Sequence, residues 1–384
     1  MPVGRILLAA ATLIATSAAA APLKIGIVNS LTGPEAPIGE DLSNGIKLAI
    51  EDLKKTKNIE VQAIWEDDTG KPQVGISAME KLATRDNVVG VVGAYTSAVT
   101  SVVAKTAERY KVPLVNPVAS KEEITRQGYK YVFRVSATTN DYAQVLLDMA
   151  LAFGQPKTIA ILNENTDFGV SGGRSAKEYA EKKGLKVVFH EAYSKGSPDY
   201  RSTLVNVKNA NPDLVFMVSY VADAILLMRQ SREIGLSPMA FLGAGAGFSN
   251  AQFAKETAVS HGIFSSTQWT PAVSWPGAKE FAKTYQARYG KPASYHAATA
   301  YTAMWILAQT AAQANGDREK TREALDTGTW ETLDGTVKFA DYEGYTNQNK
   351  HQMLAEQIQN GKFVTVWPKE LQTGKPLWPF PGWK

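Results

Sequence analysis

The sequence predicts an α/β fold built from two doubly wound lobes. Short runs of β-branched residues alternate with amphipathic helical stretches, and this rhythm restarts after residue 153. The strand-like runs are almost continuously apolar, as in parallel strands buried on both faces. At 384 residues the chain has material for about two ordinary domains, each with a sizeable core.

The first series predicts a strand at 23–29 and a helix at 39–56, whose apolar residues Leu42, Ile46, Ala49, Ile50 and Leu53 share one face. Strands at 59–66, 88–92 and 112–115 then alternate with helices at 72–85 and 97–110, and a short helix follows near 122–126. A long helix at 142–153 opens the second series. Strands are expected at 158–162, 185–190, 214–218 and 240–242, with helices at 173–183, 200–209 and 224–234. Neither a repeat of short period nor a Pro- or Ser-rich linker separates the series. The last third differs. Helices at 276–289, 294–314 and 319–326 precede two β-like runs at 351–358 and 362–367, joined by Asn360-Gly361, a strong hairpin signal. The final Trp378-Pro-Phe-Pro-Gly-Trp383 cannot be helical and is expected to wrap a surface.

The N-terminus carries Arg5, an apolar stretch from Ile6 to Thr16 and then Ser17-Ala-Ala-Ala20, the pattern of a cleavable secretory signal peptide ending at residue 20. Its apolar run is shorter than the ~20 residues of a membrane span. An exported protein, in a bacterial periplasm, is therefore expected.

Composition narrows the chemistry. With no cysteine, the chain has no disulfide, thiolate metal site or cysteine nucleophile. A net charge of +4 from 41 basic and 37 acidic residues, without a basic block, gives no footprint for nucleic acid. The four histidines are scattered and show no metal-ligand spacing, so no metal or other cofactor is expected. Gly169-Val-Ser171-Gly-Gly173 matches a nucleophile elbow, but the preceding strand ends well before Ser171, which favours a glycine-rich helix entry over a secreted serine hydrolase. Gly243-Ala-Gly-Ala-Gly247 lacks dinucleotide-fingerprint spacing, and no phosphate-binding P-loop is present. The Glu66-Asp67-Asp68 carboxylates read as solvated or paired with helix termini rather than as a cation site.

An ordered series of motifs resembles the periplasmic solute-binding proteins of branched-chain amino acid ABC transporters. It runs from Leu23-Lys-Ile-Gly-Ile-Val-Asn-Ser-Leu-Thr-Gly-Pro34 and Gly39 through Glu66-Asp67-Asp68 and Val88-Val-Gly-Val-Val-Gly93 to Ser97. Val115-Asn116-Pro117, Ala119-Ser120, Tyr131-Val-Phe-Arg134, Asp167-Phe168-Gly169, Tyr200-Arg-Ser-Thr-Leu204 and Pro212-Asp213 follow in family order. The resemblance implies the type I periplasmic binding fold, two Rossmann-like lobes joined by three crossovers and closing on a ligand. Those crossovers are expected near 136–140, 266–269 and 339–344. Lobe one would combine 21–138 with 268–340, and lobe two 139–267 with 341–384. Implied partners are a small-molecule ligand and ABC permease subunits, with the binding protein a monomer; a periplasmic sensor module would share the signature.

In such a fold the site lies at the carboxyl ends of the strands. Ser97 begins a helix there, and a helix start offers unpaired N–H groups and a positive dipole end to a carboxylate; a plain N-cap is the alternative. The resemblance makes Ser97 the carboxylate ligand, joined by a backbone group at Val118 and the hydroxyl of Ser120. The family's amino acid binders hold the ammonium with an acidic residue where this chain has Gly245; Asp167 and Asp223 are the candidate substitutes. A family tyrosine is replaced by Ile38. Aromatics expected around the seat are Tyr95, Phe168, Tyr220, Phe248, Trp269 and Tyr295, of which Phe168 and Tyr220 match ligand-contacting positions of the family. For Tyr95 and Tyr295, packing between the lobes is the alternative. Missing its acid, the site favours an aromatic or aliphatic carboxylate over an amino acid, because an ammonium buried unpaired costs several kcal/mol.

Overall fold

Apolar runs too short for a helix become parallel strands, and the amphipathic stretches between them carry the chain back to the start of the next strand. The structure, a computed structural model, describes residues 21–383; the leader expected at 1–20 lies outside the described residues. The first series comprises β1 (Leu23–Asn29), α1 (Ala36–Lys57), β2 (Val61–Asp67), α2 (Pro72–Thr84), β3 (Gly90–Gly93), α3 (Ser97–Tyr110), β4 (Leu114–Asn116) and β5 (Val132–Arg134). Its strands pair in parallel in the order β5-β4-β3-β1-β2. The short helix expected near 122–126 is a 3₁₀ turn at Glu122–Thr125.

The second series runs α4 (Thr139–Phe153), β6 (Thr158–Glu164), α5 (Asp167–Lys182), β7 (Lys186–Tyr193), α6 (Arg201–Asn209), β8 (Leu214–Val218), α7 (Val221–Glu233) and β9 (Ala240–Gly243). After the short helices α8 (Ala251–Lys255) and α9 (Thr257–Ser260) comes β10 (Phe264–Thr267). These strands also pair in parallel, in the order β10-β9-β8-β6-β7.

The chain then returns to the first sheet. Helix α10 (Ala278–Tyr289) is followed by α11 (Tyr295–Gln313), which lies along α1, and by α12 (Arg318–Thr327). A small hairpin, β11 (Trp330–Thr332) with β12 (Gly335–Val337), precedes β13 (Phe339–Tyr342) and β14 (Tyr345–Asn349). β14 joins the first sheet parallel to β5, with β13 antiparallel at the outer edge. Residues 339–344, expected to cross between lobes, are therefore a strand and turn of the first sheet, and the third passage falls between Asn349 and Leu354. The hairpin expected around Asn360-Gly361 forms from β15 (Leu354–Gln359) and β16 (Lys362–Trp367) and completes the second sheet. The tail packs on this lobe, with Trp378 against Phe153 and Phe264, and Phe380 and Trp383 against Phe241.

The three passages are tied to one another by buried side-chain amides. Gln268 accepts from the Ala137 N–H (2.7 Å), Gln348 donates to the Ser136 carbonyl (2.8 Å), and Asn349 donates to the Val135 carbonyl (2.9 Å). Buried backbone polar groups must find partners, and irregular segments between two sheets find them in each other.

A close backbone approach that positions the first lobe is the crossing of α1 and α11 at Gly45, where an added Cβ would lie on the Ala297 carbonyl. Gly45→Ala is expected to cost about 2–3 kcal/mol by forcing these helices apart. Urea denaturation measures it, and an unchanged midpoint would mean the crossing can relax.

Candidate functional site

The loops that follow β1, β3 and β4 emerge at one edge of the first sheet, facing the loops that follow β6, β8 and β9 of the second. β3 ends at Gly93 with φ +153, and a Cβ there would run into the Val28 carbonyl, so glycine lets the chain leave the strand toward Tyr95. The cap of α3 is Thr96 rather than Ser97: its hydroxyl accepts from the Val99 N–H (3.3 Å). Ser97 is thus the first residue of the helix, buried, with its hydroxyl accepting from the Lys121 N–H (3.3 Å).

The next loop is held from below by two side chains. Asn116 accepts from the N–H groups of Val118 (3.0 Å) and Ala119 (2.9 Å) and donates to the Ala119 carbonyl (2.8 Å). Fully buried Arg134, at the end of β5, donates to the carbonyls of Ala119 (3.2 Å) and Lys121 (2.7 Å), and also to Thr125 and Gln348. These bonds point Ser120 into the cleft. They also use the Val118 N–H, which leaves the Val118 carbonyl as the backbone group this residue can offer.

Between the two edges lies a cavity with about 260 Å³ of atom-free space including its mouth. Ser97, Val118, Ser120, Tyr95, Phe168, Tyr220 and Tyr295, all expected at the site, line it. Four unexpected residues join them: Ala119, Tyr142, Ala246 and His296. Tyr142 comes from inside α4, where periodicity marks only a core position. Its hydroxyl accepts from Gln268 (2.7 Å). His296, in the first turn of α11, stacks on Tyr295 with ring centres 3.9 Å apart. Its only sequence signal was a neighbouring aromatic at a helix start.

The remaining expected residues do not reach the cavity. Phe248 turns into the second lobe against Phe253, with centroids 5.1 Å apart. Trp269 donates its indole N–H to the Leu333 carbonyl (2.9 Å) and packs edge-on to Phe281. Gly245 sits just behind the wall at φ +52; a Cβ there would stand 3.1 Å from the Tyr142 ring and 3.4 Å from the Tyr295 hydroxyl. Ile38 is a core residue of the first lobe.

The wall is aromatic and uncharged. Tyr95 tilts against Tyr220 (5.8 Å), which tilts against Phe168 (5.4 Å). Burial pushes the phenols of Tyr95, Tyr142, Tyr220 and Tyr295 up and holds the His296 imidazole down at about 4, so all are neutral near pH 7. Among the described residues no carboxylate lines the cavity. Asp167 instead pairs with Lys121 across the cleft (2.6 Å), and Asp223 accepts from the Gly196 N–H (3.0 Å). Lys195 of the second lobe reaches Glu35 of the first and lies 4.4 Å from the centre of the Tyr220 ring. At the first-lobe rim, Glu66 pairs with Lys81, Asp67 accepts from Leu31, Thr32 and Thr69, and Asp68 accepts from Ser30 and Gly70.

Ser171 is not at an elbow. α5 begins at Asp167, capped by Thr166, because Gly169, Gly172 and Gly173 pack against Glu164, Val218 and Asn163, where a Cβ would clash. The helix therefore starts six residues before the expected 173, this packing overriding the poor helix propensity of glycine. Buried Ser171 meets the Thr139 hydroxyl (2.8 Å) and the Glu122 N–H (3.2 Å).

Behind Tyr220, burial pushes the Glu164 carboxyl up to about 7, although the Thr166 hydroxyl (2.6 Å) and Tyr220 N–H (3.0 Å) donate to it. From its ordinary 4.5 to about 7, the folded chain keeps a proton that the unfolded chain has released. This group's contribution to stability therefore falls as pH rises through that window. Glu164→Gln, which cannot titrate, is expected to gain on the order of 3 kcal/mol on wild type between about pH 5 and about pH 8. Urea denaturation at both pH values tests this; an equal difference at the two would return the carboxyl to its ordinary range.

Comparison with known proteins agrees with this architecture. The family description "Periplasmic binding protein" matches residues 22–362. A Leu/Ile/Val-binding protein homolog 7 of Brucella suis is 28% identical over 379 residues, covering 94% of each chain. The branched-chain amino acid transporter substrate-binding protein LivJ of Streptococcus pneumoniae, solved with isoleucine, has a TM-score of 0.82 at 21% identity, covering 91% of this chain and 100% of that one. A solute-binding protein of an ABC transporter from Rhodopseudomonas palustris BisB5, solved with 3,4-dihydroxybenzoic acid, has a TM-score of 0.79 at 21% identity, covering 90% and 96%. With a match that begins one residue before β1 and ends within β16, and with two lobes facing across a cleft, the chain belongs to the periplasmic binding protein family.

Proposed function

We propose that this protein captures a small carboxylate without an α-amine, aromatic or aliphatic, in the interlobe cavity and presents it to an ABC importer outside the cytoplasm. Residues 1–20 act as the export signal in this reading. The observation that carries the ligand class is the second-lobe wall. Where the family's amino acid binders place an acid, this chain has Gly245, and the space before it is filled by Tyr142 and Tyr295. An ammonium there would meet neutral phenols and no carboxylate among the lining residues.

The opposite side suits an anion. The first N–H groups of α3 lack intrahelical acceptors and carry the positive end of the helix dipole. Ser97 and Ser120 add hydroxyls at the same edge. A carboxylate can be held this way without a cationic side chain. Hinge motion about the three crossovers, with the ligand bridging the lobes, favours the closed form through contacts made only there. The Lys121–Asp167 and Lys195–Glu35 pairs span the same gap and assist closure.

A branched-chain amino acid is the competing ligand. It draws on the Val118 carbonyl and on the aromatic faces of Tyr95 and Tyr220, which can accept an ammonium. Calorimetry with leucine and benzoate separates the two. We expect benzoate-type acids to bind and to raise the melting temperature, whereas tight leucine binding without benzoate binding would overturn the reading. Ser97→Ala is expected to weaken the bound acid about fivefold or more while leaving thermal unfolding near wild type. Unchanged affinity would place the carboxylate seat elsewhere.

A further inference from the structure

Two polar groups at the cavity have no partner among the described residues. The Tyr95 hydroxyl and His296 Nδ1 are both buried and unbonded, although their neighbours Tyr142 and Tyr295 are each engaged, by Gln268 and by the Ala246 N–H (3.2 Å). Buried polar groups left unbonded are costly, so such a pair in a cavity wall is matched to something that enters. The two rings lie 5.8 Å apart, edge to face, on loops and helix starts of the first lobe. Both line the same cavity as Ser97 and Ser120.

We infer that Tyr95 and His296 are specificity-determining residues that read an uncharged hydroxyl on the ligand, so that the preferred ligand is a hydroxylated aromatic carboxylate. This inference rests on the carboxylate reading above and narrows it.

The donor and acceptor count selects the group. A phenol donates one proton and accepts at its oxygen, and a neutral imidazole has one donating and one accepting nitrogen. A ligand hydroxyl also donates once and accepts, and so can satisfy both residues together. An ammonium only donates, which leaves the Tyr95 proton unpaired; a second carboxylate only accepts and would be buried without a cation. A methyl or bare ring edge leaves both groups unbonded. The ring faces set the rest of the shape. Tyr295, His296, Tyr95, Tyr220 and Phe168 form a continuous aromatic chain with successive centres 3.9 to 5.8 Å apart. Flat rings gain from such offset and edge contacts.

The test uses isothermal titration of the mature protein with benzoate, each monohydroxybenzoate isomer and leucine, in wild type, Tyr95→Phe and His296→Phe. Tyr95→Phe removes a single oxygen, and His296→Phe keeps a ring stacked on Tyr295; thermal unfolding verifies that both variants fold. In wild type, at least one hydroxybenzoate is expected to bind about tenfold or more tighter than benzoate. Each variant should lose that advantage, its affinity for the hydroxybenzoate falling about fivefold or more beyond any change in its affinity for benzoate. Two outcomes overturn the inference: benzoate bound as tightly as every hydroxybenzoate, or variants that weaken benzoate and hydroxybenzoate alike. In both, the carboxylate reading survives. Binding of leucine with neither aromatic acid would overturn both readings together.

Discussion

Parallel strands point the same way, so every loop that follows a strand leaves at the same edge of its sheet. This constraint underlies the rest of the molecule. It gathers the turn after β3 and the turn after β4 beside each other, although helix α3 separates them along the chain, and it does the same for the loops after β6, β8 and β9. Within the two large sheets, antiparallel pairs are confined to the margins: β13 with β14 at one end of the first sheet, and β15 with both β10 and β16 at one end of the second. There the chain can pass between sheets without interrupting either parallel core. A cavity between two loop-bearing edges follows, and its lining is drawn from residues as distant in sequence as Tyr95 and His296.

Charge is distributed unevenly about that cavity. Ion pairs stand at the rim: Lys121 with Asp167, Lys195 with Glu35, and Arg174 with Glu123. Most of these side chains are partly exposed, and such pairs contribute about 0–1 kcal/mol each, so they hold the facing lobes together only weakly. Inside, the groups are hydroxyls, an imidazole kept neutral by burial, and helix N–H groups. A net charge of +4 therefore says little about what the cavity can attract, because the field there is set by local dipoles rather than by the sum of surface charges.

The positioning of the first-lobe edge depends on polar groups buried beneath it. Arg134 is surrounded by carbonyls and side-chain oxygens, one of them from Gln348 on β14. Gln348 in turn bonds the backbone at Ser136. The loop that presents Ser120 is thereby linked to the passages between lobes through a guanidinium that donates four hydrogen bonds. In a low-dielectric interior such a group has one favourable arrangement and many costly ones.

How far the sequence alone reached follows from the range of each interaction. Hydrophobic periodicity is local, and it sufficed for most strands and helices of both series and for the helix start at Ser97, but not for β5 or β10. The Asn360-Gly361 hairpin is legible from its turn dipeptide, and Ser120 is placed by the family resemblance. Tertiary contacts decided the rest. Glycines 169, 172 and 173 lower helix propensity, and only packing against Glu164, Asn163 and Val218 shows why α5 nevertheless starts at Asp167. The segment 339–349 carries no strong strand pattern, because β14 owes its place to pairing at Gln348 with Arg134, far away along the chain. Phe248 and Trp269 look like site aromatics from their loops, yet the choice between facing a cleft and filling a core is made by neighbours such as Phe253 and Phe281. Tyr142 and His296 sit on helices whose periodicity marks them only as buried. Sequence by itself determined the α/β alternation of the two lobes and the helix start at Ser97, because periodicity and propensity are properties of contiguous residues. The tertiary structure alone decided which side chains close the far wall, because that wall is assembled from α4, α5, α11, the turn before α7 and the loop after β9, and no contiguous stretch contains it.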